Sequence, residues 1–176
     1  MTSKAIIIPT GDEILNGTVV DTNSPAIMAL ILERFPGCEV TRITPSVDNE
    51  TTIITKLKRA IEEKADLIFI IGGSGGGHRF IPNAARDFTH TAILKMFPNS
   101  CFKEIYGKNG HLWSKLIAAK ESNSLLVNVP GPYVEAVAAA EAALDSILKG
   151  ETDPQIIVER TSEAVSRQYP SGGEIK

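Results

Sequence analysis

The chain has little of what several protein classes require. Of its 176 residues only two are cysteine, Cys38 and Cys101, far apart and outside any C-x-x-C spacing. Two reduced thiols in a cytosolic protein are expected, with a single disulfide left open. Aromatic residues make up 6% and tryptophan occurs once, too few for the base-stacking platform that binds single-stranded nucleic acid. A formal charge of −3 gives no basic footprint for DNA. No apolar run nears the roughly 18 residues of a membrane span. At the start only Ala5–Ile8 is apolar before Gly11, Asp12 and Glu13, too short a block for a signal peptide. A cytoplasmic protein without nucleic-acid or membrane partners is the expectation.

What is present suits one globular α/β domain, alone or with a tail: 43% hydrophobic and 22% charged residues are ordinary values. A chain of this size buries roughly 70% of its unfolded surface, so neither disulfide nor metal is needed for stability. Lys4–Pro9 is an unbroken β-branched run that predicts a strand buried on both faces. A polar loop follows, from Thr10 to Asn23. Ser24-Pro25 then opens a helix, with Ser24 as N-cap and Ile27, Leu30, Ile31 and Leu32 as its apolar positions, stopped by Pro36-Gly37. Glu39–Thr44 reads as a second strand. Asp48 or Asn49 caps a helix with Ile53, Ile54, Leu57 and Ile61 on one face. Asp66–Ile71 is a third strand and runs straight into Gly72-Gly73-Ser74-Gly75-Gly76-Gly77. A helix is expected from near Asn83 to Phe97. Asn99–Ser114 has no clear period. Leu125–Val129 is another buried strand, and the Ala-rich Tyr133–Lys149 a strong helix. Beyond Gly150 the pattern weakens: Ile156–Val158 reads as an edge strand and Pro170-Ser171-Gly172-Gly173 as a frayed end. Strands alternating with helices predict a three-layer α/β/α fold with a mostly parallel sheet over residues 1–150, and 151–176 as an appendage.

Ligands of open parallel sheets bind outside the carboxyl ends of the strands. Four polar segments leave strands at that edge: Thr10-Gly11-Asp12-Glu13, Asp48-Asn49-Glu50, the glycine loop, and Asn128 with Pro130-Gly131-Pro132. Glycines allow backbone N–H groups to approach an anion, so the loop predicts a phosphate site. No Gly-Lys-Ser/Thr follows it, and it is not a G-x-G-x-x-G in the first strand-to-helix turn, which disfavours ordinary ATPase and NAD-binding readings.

These residues resemble a known family. Thr10-Gly11-Asp12-Glu13-Ile14-Leu15-Asn16-Gly17 followed by Asp21-Thr22-Asn23 is similar to the opening signature of molybdopterin-binding domains, in wording nearest to the CinA-like branch. Gly72-Gly73-Ser74-Gly75 resembles the family's Gly-Gly-Thr-Gly, and Asn128-Val129-Pro130-Gly131-Pro132 its Leu-Pro-Gly-x-Pro. The likeness runs through Lys4–Lys149. It implies a molybdopterin-binding-domain-like fold, often trimeric, that takes a phosphorylated pterin or its adenylylated form in cofactor biosynthesis. Thr10, Gly11, Asp12, Glu13, Gly72–Gly77, Asn128, Pro130 and Gly131 would line the ligand. In adenylyl-transferring members two carboxylates hold Mg²⁺. Asp48 matches the first and is the candidate catalytic residue. The second stands in an Arg-Asp-x-Thr-Pro element after the glycines, where this chain has His78-Arg79-Phe80-Ile81-Pro82, with Phe80 about where the acid is expected. That departure sets a non-catalytic carrier and a metal-dependent nucleotide pyrophosphatase beside a nucleotidyl transferase.

The three histidines all fall between positions 78 and 111. His78, Asp87 and His90, with His111 nearby, form a candidate transition-metal cluster, since Asp87 and His90 share a helix face. Surface or locally hydrogen-bonded histidines are the plainer reading. Arg79, Lys108 and Lys115 could face a phosphate, though isolated basic residues are usually solvated. Ser74 could donate its hydroxyl to a phosphate or to its own backbone. Asp21 and Asn23 are expected to brace the first loop, and Trp113 to pack rather than stack on a pterin.

Overall fold

The computed structural model describes residues 2–73, 87–169 and 173–176. In it the β-branched run Lys4–Pro9 is strand β1, followed by a short helix α1 (Asp12–Leu15) inside the expected loop. Helix α2 (Asn23–Arg34) and strand β2 (Glu39–Arg42) come next. Ser24 lies within α2 rather than capping it; its N–H donates to Asp21 Oδ1 at 2.9 Å, so Asp21 is the acceptor at that end. Helix α3 (Glu50–Glu62) is capped by Asn49, whose side chain accepts from Thr52 N at 3.0 Å. Strand β3 (Leu67–Ile71) is wholly buried.

Helix α4 (Phe88–Met96) opens on Asp87; the expected start near Asn83 falls outside the described residues. The stretch without clear period becomes strand β4 (Cys101–Tyr106) and the start of β5 (Leu112–Glu121), which turns at Ser122 into β6 (Ser124–Val129). Helices α5 (Tyr133–Leu148) and α6 (Pro154–Ser166) and the two-residue strand β7 (Glu174–Ile175) complete the chain.

The sheet order is β2-β1-β3-β6-β5-β4-β7. The β1–β2, β1–β3 and β3–β6 pairings are parallel, whereas β5–β6, β4–β5 and β4–β7 are antiparallel. The expected mostly parallel sheet is therefore parallel only across β2, β1, β3 and β6. The tight turn between β5 and β6 forces the reversal, because parallel neighbours need a crossover. One face buries Ile7, Phe69 and Val127 against α2, α5 and α6; the other buries Ile6, Ile68 and Ile70 against α3 and α4. The three-layer arrangement holds.

One reading of the C-terminal region is overturned. Ile156–Val158 is not a strand: Asp153 accepts from Gln155 N at 2.9 Å and Pro154 occupies the first turn, a strong helix start that outweighs three apolar residues in a row. Of the stretch expected to fray, Pro170–Gly173, only Gly173 is described. Gly173 exchanges hydrogen bonds with the Ser166 hydroxyl at 3.1 Å, and β7 adds to the edge of β4; 170–172 fall outside the described residues. Ile157 and Val165 lie in the same core as Ile7 and Phe69. Ile157→Ala should cost about 2–5 kcal/mol in urea unfolding, as for a core residue; a loss within about 0.5 kcal/mol would place α6 outside the core.

Asp66 ties the first strand to the third. Its Oδ2 accepts from Ser3 N (2.7 Å), Ser3 Oγ (2.8 Å) and Lys4 N (3.1 Å). Partial burial would raise its pKa, but these bonds outweigh it and the carboxyl sits below its ordinary value. The folded-state pKa being lower, the stabilisation is complete above the unfolded value and is lost as pH falls through the folded one. Asp66→Asn should lower the urea midpoint at pH 7, and the gap to the unmodified chain should close on acidification toward pH 3; an equal gap at both would contradict the assignment.

Candidate functional site

The carboxyl ends of β1, β3 and β6 meet at one edge, where backbone bonds join their exits. Thr10 N donates to Ile71 O at 3.0 Å and Gly72 N to Val129 O at 2.9 Å. On the next strand over, Gly11 N donates to Ser46 O at 3.0 Å, so the exit of β1 is also joined to the loop after β2. Three of the four expected segments are thus locked together, and the glycine loop starts within that lock. Of this loop only Gly72 and Gly73 are described; Ser74, Gly75, Gly76, Gly77, His78, Arg79 and Phe80 are outside the described residues.

Gly72 and Gly73 have φ of +104° and +70°. A Cβ on Gly73 would overlap Thr89 and lie 2.8 Å from Asp87 Oδ1. The glycine loop therefore starts in contact with the N-terminus of α4. Beneath it, the buried Thr89 hydroxyl donates to Thr10 Oγ1 (3.3 Å), which donates to Ile71 O (2.8 Å). Asn128, fully buried, donates from Nδ2 to Ile70 O (3.2 Å) and Gly72 O (2.9 Å).

The acids cluster at the same edge. Asp48 N donates to Asp12 Oδ1 at 3.1 Å. Because Asn49 does the capping, the Asp48 carboxylate is left out of the α3 cap. Partial burial raises the Asp48 pKa, the charges of Asp12 and Glu13 raise it further, and Asp87 adds to the effect. Asp48 and Asp87, the latter from a different element, thus feel each other's charge. A carboxylate raised in this way, as Asp48 is, suits a hard cation or the protonated part of a ligand. Among the described residues no three His, Cys, Asp or Glu side chains are grouped closely enough to hold a metal by themselves.

Asp87 is the residue that sequence reasoning misplaced. The run Arg86-Asp87-Phe88-Thr89 carries the Arg-Asp-x-Thr order sought at Phe80, displaced along the chain by a longer segment after the glycines. The signal was in the sequence, one loop further on, with His90 in place of the final proline.

The structure joins Asp87 and His90 at the start of α4, where the His90 backbone N–H donates to Asp87 Oδ1 at 2.9 Å. His90 is buried; its Nδ1 lies against Asp87 Oδ2 and its Nε2 is 3.0 Å from Asn128 Oδ1. Of the expected transition-metal cluster of His78, Asp87 and His90, His78 lies outside the described residues. His111 is exposed in the turn between β4 and β5. Lys115 does not face the site either: it pairs with Glu104 at 3.1 Å and lies over the Phe102 ring. Trp113 packs on Tyr169, ring centroids 4.4 Å apart. Asp21 and Asn23 do brace the first loop: Asp21 accepts from Ser24 and from Arg42 Nε (2.9 Å), and Asn23 Nδ2 donates to Gly131 O (2.7 Å). Beside that last bond an open groove of about 650 Å³ is lined by Val20, Asp21, Thr22, Pro25, Ala26 and Tyr133.

Comparison with known proteins agrees with this architecture. A family model described as a probable molybdopterin binding domain matches residues 6–150. A CinA-like protein of Fervidobacterium nodosum is 28% identical, over 82% of this chain and 41% of its own length. A protein of Pyrococcus abyssi is 40% identical over 43% of this chain and 29% of its own, so the chain spans less than half of either relative. Among solved structures, CinA of Thermoplasma acidophilum superposes with a TM-score of 0.62 at 19% identity, covering 83% of this chain and 99% of that one. The tungsten cofactor synthesizing protein MoaB of Pyrococcus furiosus gives 0.57 at 22%, covering 86% and 98%. At these identities the structures speak for the fold.

Gly73→Ala tests the contact between the glycine loop and α4. Positive φ and overlap with Thr89 should together lower stability by roughly 1–3 kcal/mol in urea unfolding; an unchanged midpoint would show that no such contact exists.

Proposed function

We propose, from the premise that this chain belongs to the family of molybdopterin-binding domains matched over residues 6–150, that it binds a phosphorylated pterin of the molybdopterin type at the carboxyl edge of β1, β3 and β6. In this reading Gly72–Gly77 receive the phosphate through backbone N–H groups. Thr10, Gly11, Asp12 and Glu13 form one wall and Pro130 and Gly131 the other, with the fully buried Asn128 holding Gly72 O from behind. The protein is taken as cytoplasmic and trimeric, with a place in molybdenum cofactor biosynthesis. Among the described residues no helix is long and apolar enough to cross a membrane.

The observation that carries more than binding is the pair of acids. Asp48 and Asp87 come from separate elements, and Asp87 lies against Gly73 where the glycine loop begins. With the second acid present, nucleotidyl transfer is the reading supported best. The terminal phosphate oxygen of the pterin would attack the α-phosphorus of ATP. The new P–O bond forms as the bond to the β-phosphoryl group breaks, and pyrophosphate leaves. Asp48 and Asp87 would hold Mg²⁺, which supplies charge neutralisation of the phosphoryl oxygens when bound. The chain's own residues orient the phosphate and fix the two carboxylates.

Incubation with molybdopterin, ATP and Mg²⁺ tests this. Adenylylated pterin should form, and Asp48→Asn and Asp87→Asn should each slow it roughly a hundredfold or more. Bound molybdopterin without product identifies a carrier. Hydrolysis of ADP-ribose in place of transfer identifies a pyrophosphatase. Absence of molybdopterin binding overturns the reading.

A further inference from the structure

The carboxyl edge of the sheet has two unlike sides. Asp48 and Asp87 stand just before α3 and α4, which cover one face. Helices α2 and α5 pack together on the opposite face and also begin at this edge. The bond from Asn23 Nδ2 to Gly131 O, 2.7 Å long, ties their starts together. Gly131 closely follows Val129, whose carbonyl accepts from Gly72 N. The groove beside the Asn23–Gly131 bond therefore adjoins the point where the glycine loop begins.

At about 650 Å³ the groove is of ordinary size for a small-molecule site. Val20, Pro25, Ala26 and Tyr133 give it apolar walls, and both Val20 and Tyr133 are exposed. The one charged residue of the lining is Asp21. Partial burial would raise its pKa, but hydrogen bonds from Ser24 and Arg42 outweigh this and hold the carboxyl below its ordinary value. Its Oδ1 accepts from Ser24 N and its Oδ2 from Arg42 Nε, each at 2.9 Å. A carboxylate offers about four acceptor positions, so each oxygen has room for one more bond. Two oxygens side by side match two adjacent N–H donors.

A pterin has that pair: its N3–H and its 2-amino group lie next to each other on a flat ring. Adenine lacks it, because ring acceptors flank its amino group and one of them would face the carboxylate. We infer that the groove between α2 and α5 takes the ring of the ligand, with Asp21 on its 2-amino-4-oxo edge and Tyr133 against its face. The phosphate then goes to the glycine loop, and the nucleotide to the side of Asp48 and Asp87. The inference rests on the phosphorylated pterin proposed above and assigns its ring a place.

Calorimetry of the full chain with molybdopterin and, separately, with ATP and Mg²⁺ tests this in Asp21→Asn and Tyr133→Ala. Asparagine still accepts from Ser24 N, so the start of α2 is kept. Each variant should bind molybdopterin about tenfold more weakly and ATP within about twofold of the unmodified chain. If both variants bind molybdopterin as the unmodified chain does, the ring site alone falls and the proposed ligand stands. If ATP is weakened and molybdopterin is not, adenine occupies the groove and the inference is overturned. If the unmodified chain binds no molybdopterin, the proposed function falls, and this inference with it. Should the variants lose both ligands, the unmodified chain decides by displacement of bound molybdopterin. There 6-hydroxymethylpterin should act at concentrations about tenfold or more below those of 6-hydroxymethyllumazine, whose carbonyl replaces the 2-amino group. Equal displacement by the two, or none by the pterin, overturns the inference. GMP carries the same donor edge; if it binds more tightly than molybdopterin, the groove belongs to a guanine nucleotide and the inference falls.

Discussion

Where β3 leaves the sheet, one buried amide braces its last carbonyls. Asn128, in the neighbouring strand β6, donates to Ile70 O and Gly72 O together. A fully buried amide left half-paired would be expensive, so this position fixes several others. It sets the path of Gly72 out of the strand. It sets which of its own atoms is left to accept, and through that atom the ring of His90 and the start of α4. The edge where chemistry is expected is thereby built on polar groups that water does not reach, while the apolar layers on either side of the sheet carry the bulk of the stability.

The same edge gathers negative charge that the fold does not neutralise. Asp12, Glu13 and Asp87 are all within electrostatic reach of Asp48, whereas three of the described basic residues are paired elsewhere: Arg42 with Asp21, Lys95 with Glu50, Lys115 with Glu104. Repulsion of this kind is tolerated where a site must be ready for a cation, and it is a common way for function to be kept at the expense of stability.

Much of the fold was legible because burial on both faces leaves a plain mark. Ala5–Ile8, Leu67–Ile71 and Leu125–Val127 are unbroken apolar runs, and α3 shows its stripe at Ile53, Leu57 and Ala60. The β4–β5 hairpin was not legible, since Lys103, Glu104 and Lys115 interrupt its alternation and the register shifts between Ile105 and Tyr106. Helix α6 was hidden by Ile156–Val158, although Asp153-Pro154 announced it. At the site, the glycine loop stood out by its composition, and Asp48 by its match to the family resemblance. Asp87 did not, because a longer connection moved its motif. The pairing of His90 with Asn128 spans 38 positions, and contacts of that range have no local signature at all.

The two-residue strand β7 is small but alters how the molecule meets others. It pairs with Ile105 and Tyr106, and Lys176 N and O both bond to Glu104. Without it, β4 would present unpaired backbone groups beside the exposed Phe102 ring, an invitation to edge-to-edge association. Paired in this way, β7 covers part of β4 on the side of the sheet farthest from β2.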